Sequence, residues 1–293
     1  MSELYGSDAY APHEVAQRVE TVGVSKARLA TLPLLMLGIL AGAFIGLGAM
    51  FFVLVKSDPT LGFALSSVLG GLVFSMGLLL VVVAGAELFT GNNLLVMAWA
   101  DGRIKTKDVL RNWVLVCLAN FFGAAALAVL VFASGHTDLN GGAVGQQVVK
   151  IALAKQNLSW DQAFTRGVLC NMLVCMAVWM AMAGRSVTDK AVAIVLPIAA
   201  FVAAGFEHSI ANMYFMPLAM LIQQFGPLTS GAAPVTWLGM LHNLLPVIGG
   251  NLIGGSVLVG LTYHLIYRRA ERTGPAATPT ATPAAPKDPS RER

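Results

Sequence analysis

The sequence predicts an all-α polytopic membrane protein whose six transmembrane helices form two inverted three-helix repeats, with the second and fifth helices broken. Three observations support this prediction. Of the 293 residues, 56% are apolar and only 12% are charged, against about 25% charged in a typical soluble domain. The apolar residues lie in long uninterrupted runs, and a polar motif occurs twice, once in each half of the chain.

The composition also narrows the classes of function. The formal net charge is +4, but no basic cluster is interleaved with aromatic residues, so nucleic acid is not an expected partner. The first 28 residues are polar and lack the apolar core of a cleavable signal peptide. Cys117, Cys170 and Cys175 stand apart in apolar stretches, which favours inert buried thiols over a metal or redox site.

Six apolar segments are recognisable, at about 29–55, 61–99, 109–133, 163–184, 191–222 and 235–267. A helix of about 20 residues spans the hydrocarbon core of a bilayer. The second segment, with 39 residues, and the fifth, with 32, are too long for one straight crossing, and each contains a polar island. Irregular backbone is tolerated at membrane depth where it is buried in protein or lines a cavity. Both segments are therefore predicted to be broken helices.

The two ends of the chain differ from its middle. Residues 12–22 begin with a proline and place three valines on one helical face, which predicts a short amphipathic helix. From Glu271 onward Pro, Ala, Thr and charged residues dominate, a composition typical of disorder. We therefore divide the chain into an amino-terminal segment 1–28, a transmembrane domain 29–267 and a disordered tail 268–293.

Charge asymmetry predicts the orientation in the membrane. Six crossings place both termini on the same side. Of the 19 Lys and Arg residues, 15 fall on that side, and the other four are Lys56, Lys150, Lys155 and Arg166. Basic residues are in excess on the cytoplasmic side of membrane proteins, so both termini are predicted to be cytoplasmic.

Both long segments are interrupted by the same motif, G-x-E-x-x-x-x-N. The stretch GAELFTGN occupies residues 85–92, and GFEHSIAN occupies residues 205–212. A second correspondence follows the first, since Asn112, Asn120 and Gly123 recur with identical spacing as Asn243, Asn251 and Gly254. Each half contains three crossings, an odd number, so the second half enters the membrane upside down, as in many transporters and channels.

The residues shared by the two halves are interpreted as structural. Each half must satisfy the free polar groups of a broken helix, and carboxylates and amides at fixed positions can do so. These residues are Gly85, Glu87, Asn92 and Asn120 in the first half, and Gly205, Glu207, Asn212 and Asn251 in the second. The free N–H groups at such a break also suit a small anion.

His208 and Thr90 break the symmetry of the repeat. The counterpart of His208 is Leu88 and that of Thr90 is Ile210, so the architecture alone requires neither polar side chain. A titratable residue inside a membrane segment marks a pathway by default, and imidazole titrates near pH 6.5. We expect His208 to hand a proton to an anion or to donate a hydrogen bond to it, with Glu207 orienting or tuning the imidazole.

Large apolar side chains precede the two motifs. Phe74 and Leu78 come before Glu87, and Phe201 comes before His208. Ordinary helix packing and a hydrophobic constriction account for them equally well on the sequence alone. At a constriction a bare anion loses its hydration at a high cost in free energy, whereas its neutral conjugate acid does not.

At these residues the chain resembles the formate/nitrite transporter family, and within it the formate channels. The resemblance covers about residues 30–267 and rests on the stretches FSMGLLLVVVAGAELFTGN, RNWVLVCLANFFGA, CNMLVCMAVWMA, GRSVTDKA, GFEHSIANM and HNLLPVIGGNLIGG. It implies an aquaporin-like protomer, although no NPA motif is present, and a homopentamer in which each protomer has its own pore.

The resemblance also implies roles for individual residues. The pore centre corresponds to His208, Thr90 and Asn171, joined by Glu207, and the entrance lysine corresponds to Lys155. The implied constriction residues are Leu78 and Leu88 on one side, Phe74 and Phe201 on the other, and Val174. The implied activity is passage of formate or nitrite with a proton through a bacterial inner membrane, without a cofactor and without enzymatic chemistry. Gating by the amino-terminal segment is a further implication.

Other interpretations of the same residues stay open. Within transport, nitrite, hydrosulfide and short carboxylates such as acetate or lactate compete with formate as substrate. His208, His242 and His264 could ligate haem in an electron-transfer subunit. Ser209 beside His208 could serve an intramembrane hydrolase. A purely structural or sensory membrane protein would show no solute flux.

Overall fold

The computed structural model describes residues 9–226 and 233–269, and all regular secondary structure within them is helical. Five helices there are long and apolar enough to cross a membrane by length and composition: Thr31–Lys56, Phe63–Ala84, Thr106–Ala133, Trp160–Ala183 and Trp237–Arg268. The predicted class, an all-helical membrane protein, is thus confirmed. Apart from residues 268 and 269, the predicted disordered tail lies outside the described residues.

From residue 9 onward, where the structure describes the chain, the first half contains five α-helices. They are α1 (Pro12–Ala27), α2 (Thr31–Lys56), α3 (Phe63–Ala84), α4 (Leu95–Ala100) and α5 (Thr106–Ala133). Helix α3 ends at Gly85, whose φ of 82° lies in the left-handed region that glycine adopts without strain. A 3₁₀ turn, Gly91–Leu94, then leads into α4. The motif at residues 85–92 therefore lies between two helical pieces.

The second half repeats this order. Its helices are α6 (Ala143–Gln156), α7 (Trp160–Ala183), α8 (Val187–Ala203), α9 (Ser209–Phe225) and α10 (Trp237–Leu252). Gly205, with a φ of 71°, lies in the non-helical stretch between α8 and α9. After α10 the chain continues as a π-helix, Ile253–Leu261, then through Thr262–His264 into a second π stretch, Leu265–Arg269. The motif at residues 205–212 thus also spans a junction between two helices.

Glycines allow the long helices of each half to approach closely. A Cβ atom on Gly123 of α5 would collide with the carbonyl of Ile39 on α2. A Cβ atom on Gly254, in the π-helix after α10, would collide with the carbonyl of Val168 on α7. Small residues at helix contacts of membrane proteins permit such close backbone packing. The two contacts occupy equivalent positions, so the halves share their packing as well as their motif.

Helix α1 is fastened to the body of the protein by a buried carboxylate. The side chain of Glu20 is fully buried and accepts a hydrogen bond from Arg268 Nε at 2.9 Å. Arg103 lies 3.9 Å away and His264 Nδ1 lies 3.4 Å away. Burial raises the pKa of Glu20 above the usual glutamate value, although the charge of Arg268 opposes the rise. The amphipathic helix predicted from residue 12 onward is therefore anchored to the end of the last helical segment.

Candidate functional site

The two non-helical stretches meet at a pair of buried polar side chains. Thr90 Oγ1 lies 3.1 Å from His208 Nε2, and both residues are almost completely buried. Thr90 comes from the stretch after α3, and His208 is the N-cap of α9. The residues that break the symmetry of the repeat are thus in contact with one another.

The backbone fixes the tautomer of the imidazole. His208 Nδ1 accepts a hydrogen bond from the N–H of Ala211 at 3.1 Å, so in the neutral ring the proton resides on Nε2. Nε2 then donates to the hydroxyl of Thr90, and the hydroxyl keeps its own proton for another acceptor. The ring of Phe201 stacks on the imidazole with 5.8 Å between centroids and 19° between planes. When the ring is neutral, the centre therefore presents the hydroxyl of Thr90 as a hydrogen-bond donor, held beside a fixed and buried imidazole.

In the first half, Glu87 is the hub of a buried network. Its Oε1 accepts from Lys26 Nζ at 2.7 Å, and its Oε2 accepts from Asn92 Nδ2 at 2.7 Å. Asn92 Nδ2 also donates to Asn112 Oδ1 at 2.9 Å. The carboxylate is thus compensated by one ammonium group and one amide, as a buried charge requires.

In the second half, Glu207 has the same contacts in the same order. Its Oε1 accepts from Lys155 Nζ at 2.8 Å, and its Oε2 accepts from Asn212 Nδ2 at 2.7 Å. Asn212 Nδ2 also donates to Asn243 Oδ1 at 2.7 Å. Asn243 Nδ2 lies 3.3 Å from Glu207 Oε2 and adds one donor to the set. The carboxylate of Glu207 therefore binds lysine and amide groups, and within the described residues no hydrogen bond joins it to the imidazole of His208.

Two further asparagines satisfy the backbone of the breaks. Asn120 Nδ2 donates to the carbonyls of Gly38 and Glu87 at 2.7 and 2.9 Å. Asn251 Nδ2 donates to the carbonyls of Gly167 and Glu207 at 2.9 and 3.0 Å. Free backbone groups inside a membrane protein need such partners, and one amide provides them in each half.

Asn171 holds the backbone behind Thr90. Its Nδ2 lies 3.2 Å from the carbonyl of Thr90, 2.7 Å from Asn93 Oδ1 and 2.7 Å from the carbonyl of Asn251. The sequence-based prediction missed Asn93, whose counterpart in the repeat is Met213. Comparing equivalent positions of the two halves singled out His208 because its counterpart is apolar, and the same comparison would have found Asn93.

Residues of this site line two cavities, one in each half of the repeat. The α1 vestibule, of about 450 Å³, is lined by residues of α1 and of the first break, among them Lys26, Glu87 and Asn92. The α6 vestibule, of about 220 Å³, is lined by residues of α6 and of the second break, among them Lys155 and His208. Thr90 and Asn171 are fully buried and line neither cavity.

The residues predicted as constrictions separate into two groups, with one exception. Leu78 and Leu88 are buried and line the α1 vestibule. Phe74 and Phe201 line the α6 vestibule, and their rings meet edge to face at 5.8 Å and 84°. Val174 is buried and lines neither cavity. Each vestibule is therefore lined by one pair of these apolar side chains, and the α6 vestibule also by His208.

Lys26 is a second residue of the site that sequence reasoning missed. It precedes Thr31, the first residue of α2, by the same five positions that separate Lys155 from Trp160, the first residue of α7. Aligning the segments in front of the first and fourth apolar runs would have revealed it. With α1 and α6 included, each repeat comprises an amphipathic helix as well as its membrane helices.

The geometry does not support the rival chemistries. Both ring nitrogens of His208 are engaged, so neither is free to ligate haem or to activate Ser209. His242 and His264 lie 22 positions apart along one helical segment, a separation of about 33 Å at the α-helical rise. Ligand atoms of Glu20, Asp101 and His264 lie within 4.8 Å of one another. Arg268 and Arg103 already compensate Glu20, which argues against a cation there.

Comparison with known proteins gives consistent results. The family model described as formate/nitrite transporter matches residues 13–265. The formate channel FocA of Escherichia coli (strain K12) is 40% identical over 273 residues, which cover 89% of this chain and 96% of the relative. A solved pentameric formate channel with formate bound is 39% identical, with a TM-score of 0.76 over 81% of this chain and 98% of that one. A solved FNT family ion channel is 30% identical, with a TM-score of 0.77 over 86% and 98%.

Proposed function

The chain belongs to the formate/nitrite transporter family, and we propose that it passes formate together with a proton across the membrane. The single observation that carries the proposal is the His208–Thr90 pair, whose atoms lie 3.1 Å apart between two vestibules. Formate rather than another anion is favoured because the similar E. coli relative is a formate channel and the similar solved pentamer holds formate.

In this proposal the chain crosses the membrane six times. Helices α3 and α4 together make the second crossing, and α8 and α9 together make the fifth, with the motifs at the breaks. Five protomers assemble around a common axis, and each keeps its own pore. The similarity to a solved pentamer, with a TM-score of 0.76, supports the assembly.

The charge asymmetry supports an orientation with both termini in the cytoplasm of a bacterial cell. The α1 vestibule then faces the cytoplasm and the α6 vestibule faces the periplasm. Residues 1–28 form a cytoplasmic segment, residues 29–267 form the channel domain, and the tail 268–293 is cytoplasmic.

Entry to the pore depends on the two lysines. Lys155 Nζ uses one N–H on Glu207, and an ammonium group has three, so it can donate to an arriving anion. Lys26 Nζ contacts both Glu87 and Asn92 and has one donor left. Beyond the lysines the anion meets Phe74 and Phe201 on one side, or Leu78 and Leu88 on the other, where it must shed water.

At the centre the anion receives hydrogen bonds and a proton. A carboxylic acid has a pKa of about 4 in water, and loss of hydration raises that value, so the anion takes up a proton more readily at the constrictions. Transfer from His208 requires the doubly protonated ring, and its Nδ1 must then release the N–H of Ala211. We therefore assign a neutral imidazole to the resting state and transient protonation to the transport step. The neutral acid crosses the second constriction and ionises on the other side.

Proteoliposomes containing the purified protein test the proposal. Internal pH is followed while external formate, and then nitrite, is raised at several starting pH values. Acidification by formate well above that of protein-free liposomes is the expected result. A strong response to nitrite with a weak response to formate would reassign the substrate to nitrite. No response to either anion would overturn the proposed function and leave the family membership unaffected.

A further inference from the structure

The α6 vestibule contains a charge that the repeat does not require. The backbone N–H of Glu207 donates to the carbonyl of Arg166 at 3.3 Å, just as the N–H of Glu87 donates to the carbonyl of Leu37 at 3.2 Å. The next residues, Gly167 and Gly38, also occupy matching positions, because each carbonyl accepts from the asparagine of its own half. Arg166 is therefore the counterpart of Leu37.

Both residues line the vestibule of their half, Leu37 on the α1 side and Arg166 on the α6 side. The architecture thus accepts an apolar side chain at this position, and the arginine serves some other purpose. The same comparison of equivalent positions, His208 with Leu88, indicated that the architecture does not require the histidine. Within residues 9–226 and 233–269, no carboxylate lies within 4.0 Å of the guanidinium of Arg166, and the side chain is exposed.

Arg166 determines the net charge of its vestibule. The charged residues that line the cavity are Lys155, Arg166 and Glu207. Lys155 and Glu207 neutralise each other at 2.8 Å, and their combined field falls off quickly with distance. The remaining unit of positive charge comes from Arg166. On the α1 side the lining contains three cations, Arg18, Lys26 and Lys190, against Glu87, so that side keeps a positive excess without an arginine at residue 37.

We propose that Arg166 is the residue that captures small monovalent anions, formate first among them, at the α6 mouth of the pore. This inference rests on the proposed function and adds to it a specificity-determining cation. A cleft with an excess of one sign of charge concentrates ions of the opposite sign and raises their entry rate. A planar guanidinium also matches the two oxygens of a carboxylate or of nitrite.

The test measures initial uptake of labelled formate by cells that lack other formate channels and express the full chain. Arg166→Leu, which installs the residue of the other half, is expected to raise the half-saturating external concentration by roughly three- to ten-fold at low ionic strength. The difference should shrink at about 1 M salt, where charges are screened within about 3 Å. The maximal rate should stay unchanged, because the centre is intact.

Two variants serve as comparisons. Arg166→Lys keeps the charge but loses the planar fork, so its half-saturating concentration should lie between those of the wild type and Arg166→Leu. Lys150→Leu removes an exposed cation of the same side that does not line the cavity, and it should behave as the wild type. If Arg166→Leu does not assemble, Arg166→Gln replaces it, with assembly checked by size-exclusion chromatography.

Each result has one meaning. An unchanged half-saturating concentration in an assembled Arg166→Leu channel would overturn the inference and leave the proposed function intact. An equal loss in Lys150→Leu would also overturn it, because the effect would then be general surface charge. Absence of uptake of both formate and nitrite in the wild type would overturn the proposed function and this inference together.

Discussion

His208 Nε2 lies 3.1 Å from Thr90 Oγ1. At the equivalent positions of the other half the chain has apolar residues, Leu88 in place of His208 and Ile210 in place of Thr90. The duplicated parts of the channel, the glutamate networks and the backbone asparagines, satisfy needs that both halves share. Two of the unduplicated residues, His208 and Thr90, meet at the junction of the halves, where we propose that the ion passes. Internal symmetry therefore separates residues that hold the fold from residues proposed to handle the ion.

Replacement of His208 by Phe should abolish formate-driven acidification of proteoliposomes. The ring of Phe fills the site but donates no hydrogen bond and carries no proton. Loss of one hydrogen bond to a charged group costs about 1.5–3 kcal/mol, or roughly 10- to 100-fold in rate, and loss of the proton carrier removes the remaining proton-coupled flux. The variant should assemble normally. His242→Phe, on an exposed side chain of α10, is the matched control and should transport as the wild type. Uptake at the parental rate with its pH dependence retained would exclude the proposed role.

Thr90→Val should lower the formate flux about five-fold, because it removes one neutral hydrogen bond of about 1 kcal/mol at nearly constant volume. Thr90→Ser keeps the hydroxyl and should retain most of the flux. The comparison is made by stopped-flow uptake at equal protein density. Equal rates for the Val and Ser variants would show that the hydroxyl does not act on the anion.

Much of this arrangement could be predicted from the sequence. Glycine at residues 85 and 205, with Glu and Asn at fixed distances, marked both helix junctions because irregular backbone inside apolar runs demands those residue types. The spacing of Asn120 and Asn251 gave the second element of the repeat. Both follow from local chemistry that the chain repeats.

The partners of the charged groups could not be predicted, because they come from elements far apart in sequence. Lys26 reaches Glu87 across 61 residues, and Lys155 reaches Glu207 across 52. Sequence adjacency suggested that Glu207 orients His208, but neighbouring residues at a helix start point in different directions. The carboxylate of Glu207 instead accepts a hydrogen bond from Lys155, and the imidazole of His208 accepts one from the backbone N–H of Ala211.

Gly254→Ala should destabilise the channel by about 1–3 kcal/mol, because the new methyl group would overlap the carbonyl of Val168 and force α7 and the last helix apart. Gly62→Ala is the matched control, since a Cβ there meets nothing within 4 Å. The midpoint of thermal unfolding of the purified protein in detergent measures both. A Gly254→Ala protein as stable as Gly62→Ala would show that the helix contact relaxes freely.

The attachment of α1 should strengthen as pH falls from neutrality towards about 5. Burial raises the pKa of Glu20 above its usual value of 4.5, so the docked state binds more protons than the undocked state in the window just above that value. Its stability therefore increases as pH decreases through this window. Arg268, Arg103, Asp101 and His264 are the other charged or titratable groups at this site.

Hydrogen–deuterium exchange of the α1 amides at about pH 5 and about pH 7.5, corrected for intrinsic rates, measures this dependence. Glu20→Gln removes the carboxylate and should reduce the difference between the two conditions. His264→Gln is the matched variant, because it removes the imidazole that lies 3.4 Å from Glu20 and keeps the carboxylate. Unchanged pH dependence in Glu20→Gln would assign the effect to other groups.

Lys155→Met should destabilise the protein, and removal of its partner charge should reverse most of the loss. Glu207 is 3% exposed, and an ion left buried without its counterion costs about 3–5 kcal/mol.

In the double variant Lys155→Met with Glu207→Gln, no buried charge remains and the amide keeps a carbonyl for Asn212 and Asn243. The thermal midpoint should recover while formate flux stays low, because the ammonium group proposed to receive the anion is absent. The equivalent pair at Lys26 and Glu87 should show a smaller loss, since the Lys26 side chain is 24% exposed against 14% for Lys155. A double variant no more stable than Lys155→Met would show that the lysine supports the fold through packing rather than through its charge.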